Sequence, residues 1–138
     1  MAEQRLVSIV LCEDVLFDLD HNLTIYRVFR RVSSAQFPAV MRRLHVVTTW
    51  LGEGLVMQRV LILSPDKAEV LYDCTGRVNL AGTWPVPYVN RAHWLVWPEP
   101  GIYWLRVLNG TLAIGEDLPI LIEQTSAPNA PPQQEEQI

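Results

Sequence analysis

The 138-residue chain has the length of one compact domain. With 49 % apolar and 19 % charged residues it is too hydrophobic to stay unfolded, yet it has no apolar run long enough to span a membrane. Eleven Lys and Arg against fifteen Asp and Glu give a net charge of −4, the wrong sign for a protein that gathers phosphates, so neither nucleic acid nor a membrane is expected as a partner.

In chain order, the opening apolar stretch from Leu6 is interrupted by Ser8 and stopped by Glu13-Asp14, unlike a secretory signal. The two cysteines, Cys12 and Cys74, form no disulfide framework and read as reduced thiols of a cytoplasmic protein. Val-, Ile-, Leu-, Tyr- and Trp-rich runs follow, separated by Gly, Pro, Asp and Asn, the punctuation of strands and turns. Strands are predicted over residues 5–12, 23–31, 39–50, 55–63, 68–74, 88–97, 102–108 and 111–122. The turns between them include Gly52-Glu-Gly54, Ser64-Pro-Asp-Lys67, whose proline sits at the second position of a type I bend, and Asn109-Gly110. Residues 35–44 carry a weak helical spacing, but Pro38 and the β-branched run Val46-Val-Thr-Thr49 allow one helical turn at most.

This pattern predicts an all-β protein: an antiparallel β-sandwich of about eight strands, immunoglobulin-like or C2-like in architecture, without substantial helix. Residues 1–124 form the single domain, and residues 125–138, rich in Pro, Gln and Glu, form a disordered tail. A strand with one solvated face alternates apolar and polar residues. The runs 55–63 and 102–108 break that rule, so both of their faces are expected to bury something, either under the chain's own loops or against another subunit.

The chemistry-bearing residues form three groups. Glu13, Asp14, Asp18 and Asp20, with Asn22, gather carboxylates that could hold Ca²⁺ in an end loop, although their spacing is not that of an EF-hand and a solvated turn is the simpler reading. Trp84, Tyr88, Trp94 and Trp97 lie among four prolines and could form an aromatic platform for a sugar, an apolar ligand or a protein. Trp50 and Trp104 are expected in the core. Arg27, Arg30, Arg31, Arg42 and Arg43 read as edge-strand charge that discourages sheet pairing. His45 and His93 read as half-buried strand residues, no spacing matches a zinc site, and no catalytic residue can be named.

The segments Ile9-Val-Leu-Cys-Glu-Asp14, Phe37-Pro-Ala-Val40, Pro98-Glu-Pro-Gly-Ile-Tyr103 and Leu118-Pro-Ile-Leu-Ile122, with the Asn109-Gly110 hairpin, resemble a family of small uncharacterised bacterial proteins known only as a domain of unknown function. The resemblance spans roughly residues 6 to 122 and implies a β-sandwich with no catalytic residue to carry over. The functional expectation is therefore a non-enzymatic module without cofactor that self-associates or binds another protein. The alternative is a ligand-binding module using the acidic or the aromatic group.

Overall fold

A computed structural model describes residues 3–20 and 22–126. Ten strands are present: β1 (Arg5–Phe17), β2 (Leu23–Val28), β3 (Arg31–Ser34), β4 (Ala39–Leu51), β5 (Glu53–Leu63), β6 (Val70–Ala81), β7 (Val86–Trp97), β8 (Gly101–Asn109), β9 (Leu112–Ala113) and β10 (Leu118–Gln124). No helix occurs among the described residues, so the weak helical spacing at 35–44 yields to the β-branched run that follows it. Most of the predicted tail, residues 127–138, lies outside the described residues.

Two sheets face each other across one core, in the orders β2-β1-β4-β7 and β3-β10-β8-β5-β6, with β9 paired to β8. The fold is the expected β-sandwich. Its pairings are antiparallel except for β3 with β10, which run parallel. The predicted second strand is divided between β2 and β3, and the predicted eighth between β9 and β10.

The chain changes sheets between β4 and β5 at Gly52. Its φ of +136° is a glycine conformation, and a Cβ there would collide with the Glu3 carbonyl. The chain changes sheets again between β6 and β7, where the two sheets are sealed together. The Tyr72 hydroxyl donates to the Arg91 carbonyl at 2.8 Å, and the Tyr88 ring occupies the space that a side chain at Gly76 would need. Burial, reinforced by Cys74, pushes the Tyr72 hydroxyl above its ordinary pKa.

The core contains Leu44, Val46, Trp50, Val56, Val60, Ile62, Trp97, Tyr103, Leu105, Val107, Ile120 and Ile122. One polar network lies inside it. Gln58 of one sheet accepts at Oε1 from Thr48 and, at 2.7 Å, from Trp50 Nε1 of the other. Its Nε2 donates to Asn90 Oδ1 at 3.0 Å, and Asn90 Nδ2 donates to the Val46 carbonyl at 2.9 Å. Fully satisfied buried networks of this kind fix how two sheets register against each other, because any slip orphans several groups at once.

On the outer face of the second sheet the doubly apolar runs are covered only in part, for Leu55, Met57 and Ile102 are exposed. Leu61 and Leu63 point away from the core and are nevertheless buried. Leu61 pairs across the sheet with Asp73 and Arg106, and Leu63 pairs with Trp104. Arg59 grips Asp73 through two hydrogen bonds, and Arg106 grips Asp117 through two more. Lys67 reaches Asp117 at 2.9 Å and lies 4.5 Å above the centre of the Trp104 ring, whose Nε1 donates to the Pro65 carbonyl. The chain's own side chains thus roof this end of the sheet. Trp104 belongs to that roof and is only half-buried, whereas Trp50 is a core residue as expected.

Candidate functional site

Of the four acidic residues, only Asp18 and Asp20 sit in the turn. β1 continues through Glu13 and Asp14 to Phe17, and consecutive strand residues point to opposite faces, so these two carboxylates diverge. Glu13 pairs with Arg27 of β2 at 3.0 Å, and Asp14 pairs with Arg43 of β4 at 3.3 Å. Asp18 Oδ1 instead accepts the backbone N–H groups of Asp20 and Asn22 and closes the turn. Among the described residues, no three His, Cys, Asp or Glu side chains gather as a metal site would require. The four carboxylates read as one group in the sequence are separated by the strand that carries two of them.

The aromatic group is also divided. Trp97 is buried in the core with its ring edge-on to Tyr103, and Tyr88 packs inward over Gly76. Trp84 and Trp94 are both exposed, at 71 % and 63 %. Trp84 precedes β7, and Trp94 lies eight strand residues beyond its first residue, Val86, a further span of about 26 Å along the strand, so the two do not share one small ligand.

Trp94 owes its exposure to a departure from strand alternation. In β4 the residues facing the core are Ala39 and Met41, then Leu44 and Val46. In β7 they are Trp97 and Leu95, then Ala92 and Asn90. Both strands therefore change parity at the same place, while the register still pairs Met41 with Leu95, Arg43 with His93 and Leu44 with Ala92. Between the first and last of these rungs Arg42, Arg43, His93 and Trp94 all turn outward, and all four are exposed. Trp94 has a φ of +57°, a conformation that a bulky side chain adopts only at a cost of roughly 1–2 kcal/mol.

A groove of about 580 Å³ opens at this point, lined by Glu13, Met41, Arg42, Arg43, His93 and Trp94. The Arg42 guanidinium lies 5.3 Å from the centre of the Trp94 ring. Among the described residues Arg42 has no carboxylate partner, whereas Arg43 and Glu13 are engaged by Asp14 and Arg27. The groove thus presents an uncommitted planar cation stacked on an aromatic face, with a second arginine and an imidazole beside it. Beneath it the sheet is closed: Cys12 is fully buried, its thiol raised above the ordinary pKa by burial and by Asp14, and His45 Nδ1 lies 3.0 Å from the Glu13 carbonyl oxygen.

Arg42 and Arg43 are not the edge-strand charge expected from the sequence. They lie on β4, a central strand between β1 and β7, so that role does not apply to them. Arg27 lies on the outer strand β2 and Arg31 on the outer strand β3. Of the two strand histidines expected to be half-buried, His45 is buried and His93 is exposed in the groove.

The fold is a β-sandwich carrying a cationic, aromatic groove on the outside of one sheet. Residues 7–119 match the family of unknown function DUF6941, and the chain belongs to that family. A search of curated proteins finds no match.

Proposed function

We propose that the protein is a non-catalytic interaction module that receives an acidic segment of a partner protein in the Arg42–Trp94 groove. One observation carries this reading: the simultaneous change of parity in β4 and β7, which turns Arg42, Arg43, His93 and Trp94 outward around an open groove at the expense of backbone strain at Trp94. A carboxylate meets the fork of Arg42 in bidentate geometry while the ring beneath keeps the guanidinium oriented. His93 and Arg43 supply further donors for neighbouring acidic side chains, and the net charge of the rest of the surface plays no part in so local a contact. Catalysis is not part of the proposal, because the groove holds no nucleophile hydrogen-bonded to a base. The same reading keeps the protein in the cytoplasm, where its two free cysteines would stay reduced.

The test is a titration of the full chain with a hexaglutamate peptide, followed by backbone amide shifts, with hexalysine as control. Saturable shifts centred on residues 41–44 and 92–95 are expected from hexaglutamate alone. They should weaken as salt rises and fall at least fivefold in affinity in Arg42→Ala. Absence of saturable binding at millimolar peptide, or binding indifferent to Arg42→Ala and Arg43→Ala, would overturn the proposal. Equally strong binding of free benzoate would replace the peptide with a small aromatic acid as the ligand.

A further inference from the structure

The β1–β2 hairpin extends beyond the sheet that carries it. β1 pairs with β4 only as far as Cys12 opposite His45, whereas its pairing with β2 continues from Asp14 opposite Tyr26 to Phe17 opposite Leu23. Residues 15–17 and 23–25 therefore form a two-stranded ribbon that, among the described residues, has no ladder partner but itself. Such ribbons are marginal in water unless something packs on them. This one is apolar on both sides. Leu16, Phe17, Tyr26 and Val28 are 47–60 % exposed, and Leu19 at the tip is 99 % exposed.

The ribbon also carries an open edge. At the far side of its sheet, β7 is sealed against β6 through Tyr72 and Tyr88, but β2 is an outer strand with nothing among the described residues paired to its free side. From Leu23 to Tyr26 that edge is regular and uncharged, with no Pro, Gly or Lys to deter pairing; only at Arg27, with a φ of +58°, does the backbone turn away from extended geometry.

We propose that the β1–β2 ribbon is a self-association arm, through which β2 of one copy pairs antiparallel with β2 of a second copy about a twofold axis and joins two four-stranded sheets into one of eight. The edge is self-complementary. Antiparallel pairing about Ile25 sets Thr24 opposite Tyr26 of the other copy, and Arg27, where the backbone leaves extended geometry, falls at the end of the paired stretch away from its own image. The exposed parts of the five apolar side chains set an upper limit of roughly 500 Å² per copy, about 1,000 Å² in the pair, and this lower bound for a specific protein contact is reached only if Leu16, Phe17 and Leu19, beside the β2 edge on β1 and at the tip, pack across the axis as well. The arm is separate from the arginine groove and does not depend on the function proposed for it.

The experiment is sedimentation equilibrium of the full chain from 1 to 100 µM, alongside hydrogen exchange of the β2 amides. Twice the chain mass is expected at the upper concentrations, with exchange of the 23–26 amides slowing as the dimer fills. The double variant Leu16→Glu/Tyr26→Glu alters only exposed side chains and should sediment as a monomer with an unchanged far-ultraviolet circular dichroism spectrum. A wild-type chain that stays monomeric at 100 µM overturns the proposal. A dimer that persists in the double variant, or one that leaves exchange at 23–26 unchanged, overturns it as well, because the contact then lies elsewhere.

Discussion

Trp50 and Trp97 are both fully buried, yet replacing each by Phe should give different results. The indole Nε1 of Trp50 donates to Gln58 at 2.7 Å, whereas Nε1 of Trp97 is buried with no hydrogen-bond partner among the described residues. Removing the extra ring atoms from either site leaves a small void and loses contacts, a cost of about 1–2 kcal/mol. At position 50 a buried hydrogen bond goes too, adding about 1 kcal/mol. The loss stops there, since Gln58 Oε1 still accepts from Thr48. Trp50→Phe should therefore cost about 2–3 kcal/mol. At position 97 the substitution also removes an unpaired donor, relieving about 1–3 kcal/mol and offsetting the void. The Phe ring keeps the edge contact with Tyr103, now 5.0 Å between centroids. Trp97→Phe should lie within about 1 kcal/mol of wild type. Urea unfolding of both variants, with equal dependence on denaturant, measures the difference. Equal losses at the two positions, or the larger loss at 97, would refute the hydrogen-bond argument.

Three further outcomes are expected. Trp94→Gly exchanges a strained bulky residue for one at ease with a φ of +57°, so the urea midpoint should hold or rise by the equivalent of up to about 1 kcal/mol while binding of hexaglutamate is lost. Gln58→Leu conserves volume but orphans Trp50 Nε1 and Asn90 Oδ1 in the core, and should cost about 2–4 kcal/mol by the same unfolding assay. The Asp117 carboxyl is held down to about 2, first by its hydrogen bonds from Arg106 and then by Lys67. Because the folded state lowers this pKa below the unfolded value of 3.8, its stabilisation is complete above about pH 5 and disappears as pH falls toward 2. Asp117→Asn should therefore lower the melting temperature at pH 7 and flatten its decline between pH 5 and 2; an unchanged acid limb would remove Asp117 from the account.

Much of the architecture was legible because β-branched and aromatic runs between turn residues can do little else. Asn109-Gly110 marked a hairpin, and Gly110 does adopt positive φ. Legibility failed where polar composition concealed a strand. Residues 75–81 extend β6, and Val78 and Leu80 enter the core while Arg77, Asn79 and Ala81 alternate outward. Glu13-Asp14 looked like a loop because charges rarely continue a strand, yet each finds an arginine on the neighbouring strand. The groove was less visible still. Its four side chains come from two strands fifty residues apart, and their common exposure depends on both strands changing parity at matched rungs, which appears only once the register of β4 against β7 is known.

The parallel pair bears on how the molecule acquires its shape. Arg31 of β3 has its rung partner at Leu121 of β10, so this contact must wait for almost the whole described chain to be synthesised. Until then β3 has no ladder partner, and Ile120 and Ile122 are missing from the core. β10 acts as a keystone. Loop closure over so long a span is slow relative to hairpin formation, so the nascent chain passes through a stage in which β1, β2, β4 and β7 can already form their sheet while the second sheet lacks its closing strand. A premature stop before residue 118 would leave that stage as the end point, with two edges open for pairing with other chains.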